Sequence, residues 1–113
     1  MTDKIVVFST CASEEEAEKL ARLVVERRLA ACASIVPNVR SYYRWQGAVE
    51  TAGECLLVIK SARRQFAALS AALERAHSYE VPEVLAVPVV AASAPYLAWL
   101  EASLGGGTED DSQ

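Results

Sequence analysis

The chain has 113 residues, 52% of them hydrophobic and 23% charged, with a formal net charge of −4. That length suits one domain whose core needs no covalent staples, and the composition is that of an ordinary globular protein. Glu109, Asp110 and Asp111 place three of the negative charges near the C-terminus, so the body is close to neutral. It offers no basic face to neutralise phosphates, and nucleic acid is not expected as a partner.

Residues 5–8 form an apolar run too short for a signal-peptide core or a bilayer span, so no membrane association is expected. Residues 5–10 are a β-branched run and read as a strand. Ser13-Glu14-Glu15-Glu16 reads as a capping box, with Ser13 capping and Glu16 reaching back. Ala17, Leu20, Ala21, Val24 and Val25 then recur at helical spacing, which predicts a helix to about Arg28. Residues 32–46 and 49–60 are two extended arms around Gln46-Gly47, where Gly47 can supply the positive φ of a tight turn. Pro37-Asn38 predicts a bend or bulge in the first arm, because proline cannot donate to a ladder.

Ser61 is expected to cap a second helix, with Phe66, Leu69, Leu73 and Ala76 on one face and His77 at its end. Residues 82–90 read as a strand, and Pro88 within it suggests a sheet edge or an irregularity. Ser93-Ala94-Pro95 opens a third helix over 96–104. The domain is expected to span 1–104, leaving 105–113 as a disordered tail, because three glycines and an acidic run offer no apolar surface to offset ordering.

The order β-α-β-β-α-β-α, with two crossovers around a central hairpin, predicts an α+β, ferredoxin-like sheet with an extra C-terminal helix. Residues 55–59 and 84–87 are apolar at odd and even positions alike, so both sheet faces need cover. Two long helices cover one face. The other calls for a second chain.

Cys11, Cys32 and Cys55 lie far apart, without C-x-x-C spacing, and read as free thiols in a reducing cytosol. Their spacing excludes a zinc-finger site. Cys32 and Cys55 fit small buried packing positions. Cys11 ends the first strand just before the Ser13-capped helix, a place that favours the thiolate form that soft metals bind. His77 either ends the second helix, favoured there by the dipole, or serves as a metal ligand. Tyr42, Tyr43, Arg44 and Trp45 cluster at the hairpin tip and suit a subunit interface or a ligand cleft. Tyr79, Glu80 and Glu83 are candidate polar groups of such a cleft. No nucleophile stands at motif spacing from His77, so an enzyme is not expected.

Arg28-Leu29-Ala30-Ala31-Cys32, Tyr43-Arg44-Trp45-Gln46-Gly47, Tyr79-Glu80-Val81-Pro82-Glu83 and the pair Tyr96-Leu97 and Trp99-Leu100, in that order, resemble the CutA family of divalent-cation tolerance proteins. The resemblance covers nearly the whole chain. It implies a ferredoxin-like protomer in a tight homotrimer, similar in architecture to the PII signalling trimers. It also implies a part in tolerance of copper and other divalent metal ions in the cytoplasm. On that basis His77 and Cys11 are the expected metal residues, with Cu(II) the ion and no organic cofactor. The departures are plain: a metal-linked cysteine of some members aligns with Ser9, and a histidine pair of others is reduced to His77. The sequence suggests that Cys11 and His77 meet only through a neighbouring chain or a curved loop. A sensor or scaffold using intersubunit clefts is the competing reading.

Overall fold

The structure is a computed structural model and describes residues 1–106. Strand β1 runs Lys4–Cys11, helix α1 Glu14–Glu26, strand β2 Cys32–Trp45 and strand β3 Ala48–Ala62. A 3-10 turn at Arg63–Gln65 leads into α2, Phe66–Ala76, followed by β4, Leu85–Pro88, and α3, Ala94–Ser103. The four strands form one antiparallel sheet in the order β2-β3-β1-β4. This is the expected ferredoxin-like order, with β4 on the edge, one of the two placements Pro88 suggested.

In β1 one side-chain parity is buried and the other half-buried. The buried parity of β1 and β3 supplies Ile5, Val7, Leu57 and Ile59, which pack on Ala17, Leu20 and Val24 of α1 and Leu69 and Leu73 of α2. On the opposite sheet face α3 covers only the end at Lys4 and Ala62, and Val36, Leu85 and Val87 stand exposed on the rest of it. Leu100 and Leu104 from the α3 end form a smaller cluster with Ala31 and Ala62.

The central hairpin turns through Gln46 and Gly47 at φ 51° and 85°, the paired positive φ of a turn whose twist matches its strands. Pro37-Asn38 makes the expected bulge: the register shifts between Val36 and Val39, and Asn38 takes φ 65°. Ser13 caps α1 by accepting from the Glu16 amide at 3.1 Å. The return half of the box differs, because Glu16 Oε1 accepts weakly from Ala12 N–H at 3.4 Å while the carboxylate engages Ser78.

Three boundaries depart from expectation. Helix α1 stops at Glu26, and Arg28 turns the chain out at φ 59°. Ser61 does not cap α2. It is a buried β3 residue whose hydroxyl donates to the Leu29 carbonyl at 2.6 Å, satisfying an acceptor stranded by that turn. Strand β4 is only 4 residues long because the chain reaches the sheet edge late.

The expected tail 105–113 begins with an ordered residue. Gly105 N–H donates to Arg28 O at 2.9 Å, and Gly105 O accepts from Gln65 Nε2 at 3.1 Å. Residues 107–113 lie outside the described residues. The Arg28 guanidinium donates to the carbonyls of Ala102, Ser103 and Leu104 at 2.8, 3.2 and 3.1 Å, closing the C-terminal end of α3. Glu101 receives Arg64 through both carboxylate oxygens, at 3.2 and 2.9 Å, and Lys4 at 3.1 Å.

Candidate functional site

The site is built where β1 ends and α2 returns. Since β1 and β3 are antiparallel, Cys11 at the end of β1 lies beside Cys55 at the middle of the longer β3. Helix α2 follows β3 and runs back to that same end of the sheet, so His77 arrives there within one chain. His77 terminates α2 as its C-cap, its amide donating to Leu73 O at 3.0 Å.

Both imidazole nitrogens of His77 are engaged. Nε2 lies 2.8 Å from Thr10 O, and a carbonyl only accepts, so Nε2 carries the proton. Nδ1 accepts the Tyr79 amide at 3.0 Å, which fixes the neutral tautomer. Glu16 Oε2 lies 3.6 Å from Nδ1 and accepts from the Ser78 amide at 2.8 Å. The Ser78 hydroxyl donates to Glu16 Oε1 at 3.0 Å. Burial tends to raise the Glu16 pKa, but the Ser78 and Ala12 donors outweigh it and hold the carboxyl below its usual range.

Beyond His77 the loop places Tyr79 with its ring 4.7 Å from the imidazole and its hydroxyl donating to Glu54 Oε2 at 2.7 Å. Burial first, then the Glu54 carboxylate, push the Tyr79 phenol well above its ordinary value, so it stays a donor. Tyr79 and Glu54 line a cleft of about 840 Å³ between the hairpin arms and the 79–83 loop. Tyr42, Tyr43 and Trp45 line the hairpin side, and Glu80 and Glu83 the loop side.

Of the residues expected at an interface or cleft, Tyr43, Trp45, Tyr79 and Glu80 therefore share one cavity, whereas Arg44 does not line it. Glu54 and Glu16 were not singled out from the sequence. The available signal for Glu54 was a carboxylate directly before the apolar run of β3, where strands are depleted in acids.

In this structure both members of the expected metal pair are engaged in other bonds. Within one chain His77 reaches the carbonyl of Thr10, the residue before Cys11, which is the curved-loop route of the two expected and not the neighbouring chain. Yet His77 has no free lone pair, since Nδ1 holds the Tyr79 amide and Nε2 holds a proton. Cys11 is fully buried and its Sγ donates to Ser13 O at 3.6 Å. Burial, reinforced by Glu16, pushes its thiol up to about 11, the reverse of the thiolate preference expected at a helix start. Among the described residues, no three His, Cys, Asp or Glu side chains are grouped to hold a metal ion. Cys55 is buried as expected, but Cys32 is only partly so, facing the side opposite α1 and α2 with Lys60 Nζ at 3.7 Å. Among the described residues, no helix is long and apolar enough to cross a membrane.

A family model described as CutA1 divalent ion tolerance protein matches residues 5–103. The "Protein CutA" of Mus musculus is 43% identical over 93 residues, 82% of this chain and 52% of that protein. The chain thus spans about half the length of that relative. The "Divalent-cation tolerance protein CutA" of Thermus thermophilus is 43% identical over 100 residues, covering 88% of this chain and 97% of the relative. A solved divalent cation tolerance protein (Cut A1) from Thermus thermophilus superposes with a TM-score of 0.88 at 42% identity, covering 90% of this chain and 99% of that one. "Protein CutA, chloroplastic" of Arabidopsis thaliana is 41% identical over 99 residues, 88% of this chain and 54% of that protein. With this match over both arms of the hairpin, the His77 loop and all three helices, the chain belongs to the CutA1 family of divalent ion tolerance proteins.

Proposed function

We propose that the chain acts in divalent-cation tolerance as one protomer of a cytoplasmic homotrimer, without catalysis, and that copper is among the ions it meets. The observation that supports this is the apolar surface left uncovered on the sheet face opposite α1 and α2. Val36, Leu85 and Val87 are exposed on it, and Tyr42, Trp45 and Val49 are exposed along the projecting hairpin. Apolar surface of this extent marks an interaction site rather than a free monomer, and its burial between copies would be of the obligate kind, about 2,000 Å² or more in total.

In this reading the ions do not use His77 or Cys11. They meet the exposed carboxylates Glu80 and Glu83 at the cleft rim, and a neighbouring copy completes the set of donors. His77 serves as a post that fixes the 78–83 loop. The test joins analytical ultracentrifugation to calorimetry with Cu(II). A trimer at micromolar concentration is expected, with copper binding weakened in the double variant Glu80→Gln, Glu83→Gln and kept in His77→Ala. A stable monomer, or copper binding lost only in His77→Ala, overturns it.

A second reading rests on the aromatic wall opposite Glu54. A cleft lined by Tyr42, Tyr43 and Trp45 suits a small organic effector, as in a PII-like sensor or scaffold. Calorimetry with nucleotides in place of metals separates it from the first.

A further inference from the structure

Cys11 and Cys55 are direct partners across the β1–β3 ladder, the last pair that β1 makes. Directly opposed residues of an antiparallel pair project to the same face, and both thiols lie buried in the layer beneath the helices. Opposed Cα atoms are about 4.5 or 5.5 Å apart, depending on the type of pair, and both values lie inside the span a disulfide bridges, about 4.4–6.8 Å. The third thiol is differently placed. Cys32 pairs with Lys60 on the other sheet face, five residues along β3 from Cys55, or about 17 Å of strand.

We propose that Cys11 and Cys55 are a cross-strand dithiol that closes to an intramolecular disulfide when the protein meets a small-molecule disulfide. The exchange has two steps. One thiolate attacks the external disulfide, forming a mixed disulfide and releasing one external thiol. The second thiolate then attacks the mixed disulfide at the protein sulfur and expels the other external thiol. The protein loses two electrons and two protons, and the reagent is reduced to two thiols. Access comes from fraying at the β1 end, where the next residue, Ala12, is already exposed. The high proton affinity of the Cys11 thiol makes the reaction slow near neutrality.

Closure would bear on the cleft. Thr10 and Ala12 flank Cys11, Glu54 precedes Cys55, and all three line that cavity. The bond would pin its floor and remove the fraying motion at the β1 end.

The experiment incubates the reduced full-length protein with excess glutathione disulfide at pH 8.5, with circular dichroism confirming the fold. Remaining thiols are then alkylated and the chain is mapped without reduction. The expected product is a peptide pair linked through Cys11 and Cys55, lighter by two hydrogens, together with a higher melting temperature than the reduced protein. Cys32→Ala should give the same linked pair, and Cys11→Ala and Cys55→Ala should give none. The proposal fails if folded wild type keeps Cys11 and Cys55 alkylatable after prolonged oxidation. It also fails if the linkage involves Cys32 or if the only product is a mixed disulfide. Because the wild-type map decides, a cysteine variant that does not fold leaves the outcome unaffected.

Discussion

The Tyr79 hydroxyl donates to Glu54 Oε2 at 2.7 Å and so ties the loop after α2 to β3 across the floor of the cleft. The same tyrosine hands its amide proton to His77 Nδ1 at 3.0 Å. One residue thus joins the helix end, the sheet and the cavity wall. Loss of either bond should be felt at all three.

Tyr79→Phe keeps the ring against His77 and removes the bond to Glu54. A hydrogen bond to a charged group contributes about 1.5–3 kcal/mol, and partial exposure favours the lower end. Denaturant unfolding at pH 7 should report a loss of about 1–2 kcal/mol. The pH dependence follows from the raised phenol pKa. Its stabilisation is complete below the unfolded value near ~10 and is lost as pH rises from there toward the folded one. That alkaline decline should be present in the wild type and flatter in Tyr79→Phe. Equal slopes would show that the bond does not persist in solution.

Glu16 gives the acid side of the same relation. Its folded pKa is depressed, so its contribution is complete above the unfolded carboxylate value near ~4.3 and is lost as pH falls through the folded one. Glu16→Gln should cost about 1 kcal/mol at pH 7, through weaker acceptance from Ser78 and Ala12. Its stability should also fall less steeply below pH 4 than that of the wild type. An unchanged acid limb would remove Glu16 from the network.

Two serines show what the sequence made legible. Ser13 and Ser61 both precede helical patterns, and both fit the signature of an N-cap. Ser13 is followed by three glutamates, and local chemistry alone decides its role. Ser61 is claimed by a contact with Leu29, 32 residues away, created by the turn at Arg28. No local pattern reveals such a partner. Element order, hairpin, bulge and edge were readable because β-branched runs, helical spacing, Gly47, Pro37 and Pro88 act locally. The site was half readable: its aromatics and Glu80 stood in recognisable blocks, while Glu16 and Glu54 matter only through residues brought near by the fold.

Arg28 tests that turn. It occupies φ 59°, where a Cβ is disfavoured by about 1–2 kcal/mol, and its guanidinium closes the end of α3. Arg28→Gly relieves the backbone and removes the guanidinium, whereas Arg28→Ala removes the guanidinium and keeps the strain. The alanine variant should therefore be the less stable of the two by about 1 kcal/mol. Hydrogen exchange in α3 should quicken in both. Equal stabilities would mean that the chain relaxes out of the positive-φ conformation when the side chain is lost.

His77→Ala separates a structural histidine from a metal-binding one. The wild-type ring is buried between Thr10 O and the Tyr79 amide, and its removal strands both partners and leaves a void. Each buried group left unpaired costs about 1–3 kcal/mol, so a total loss of about 2–4 kcal/mol is expected at pH 7. Copper affinity, measured by calorimetry on the folded variant, should stay within about twofold of wild type, because neither ring nitrogen has a lone pair to give. His77→Gln should recover part of the stability, since its amide can donate to Thr10 O, and should likewise leave copper binding unchanged. A tenfold or greater loss of affinity in both variants would instead mean that the ring gives up the Tyr79 amide to take the metal. The loop from 78 to 83 would then have to move on binding.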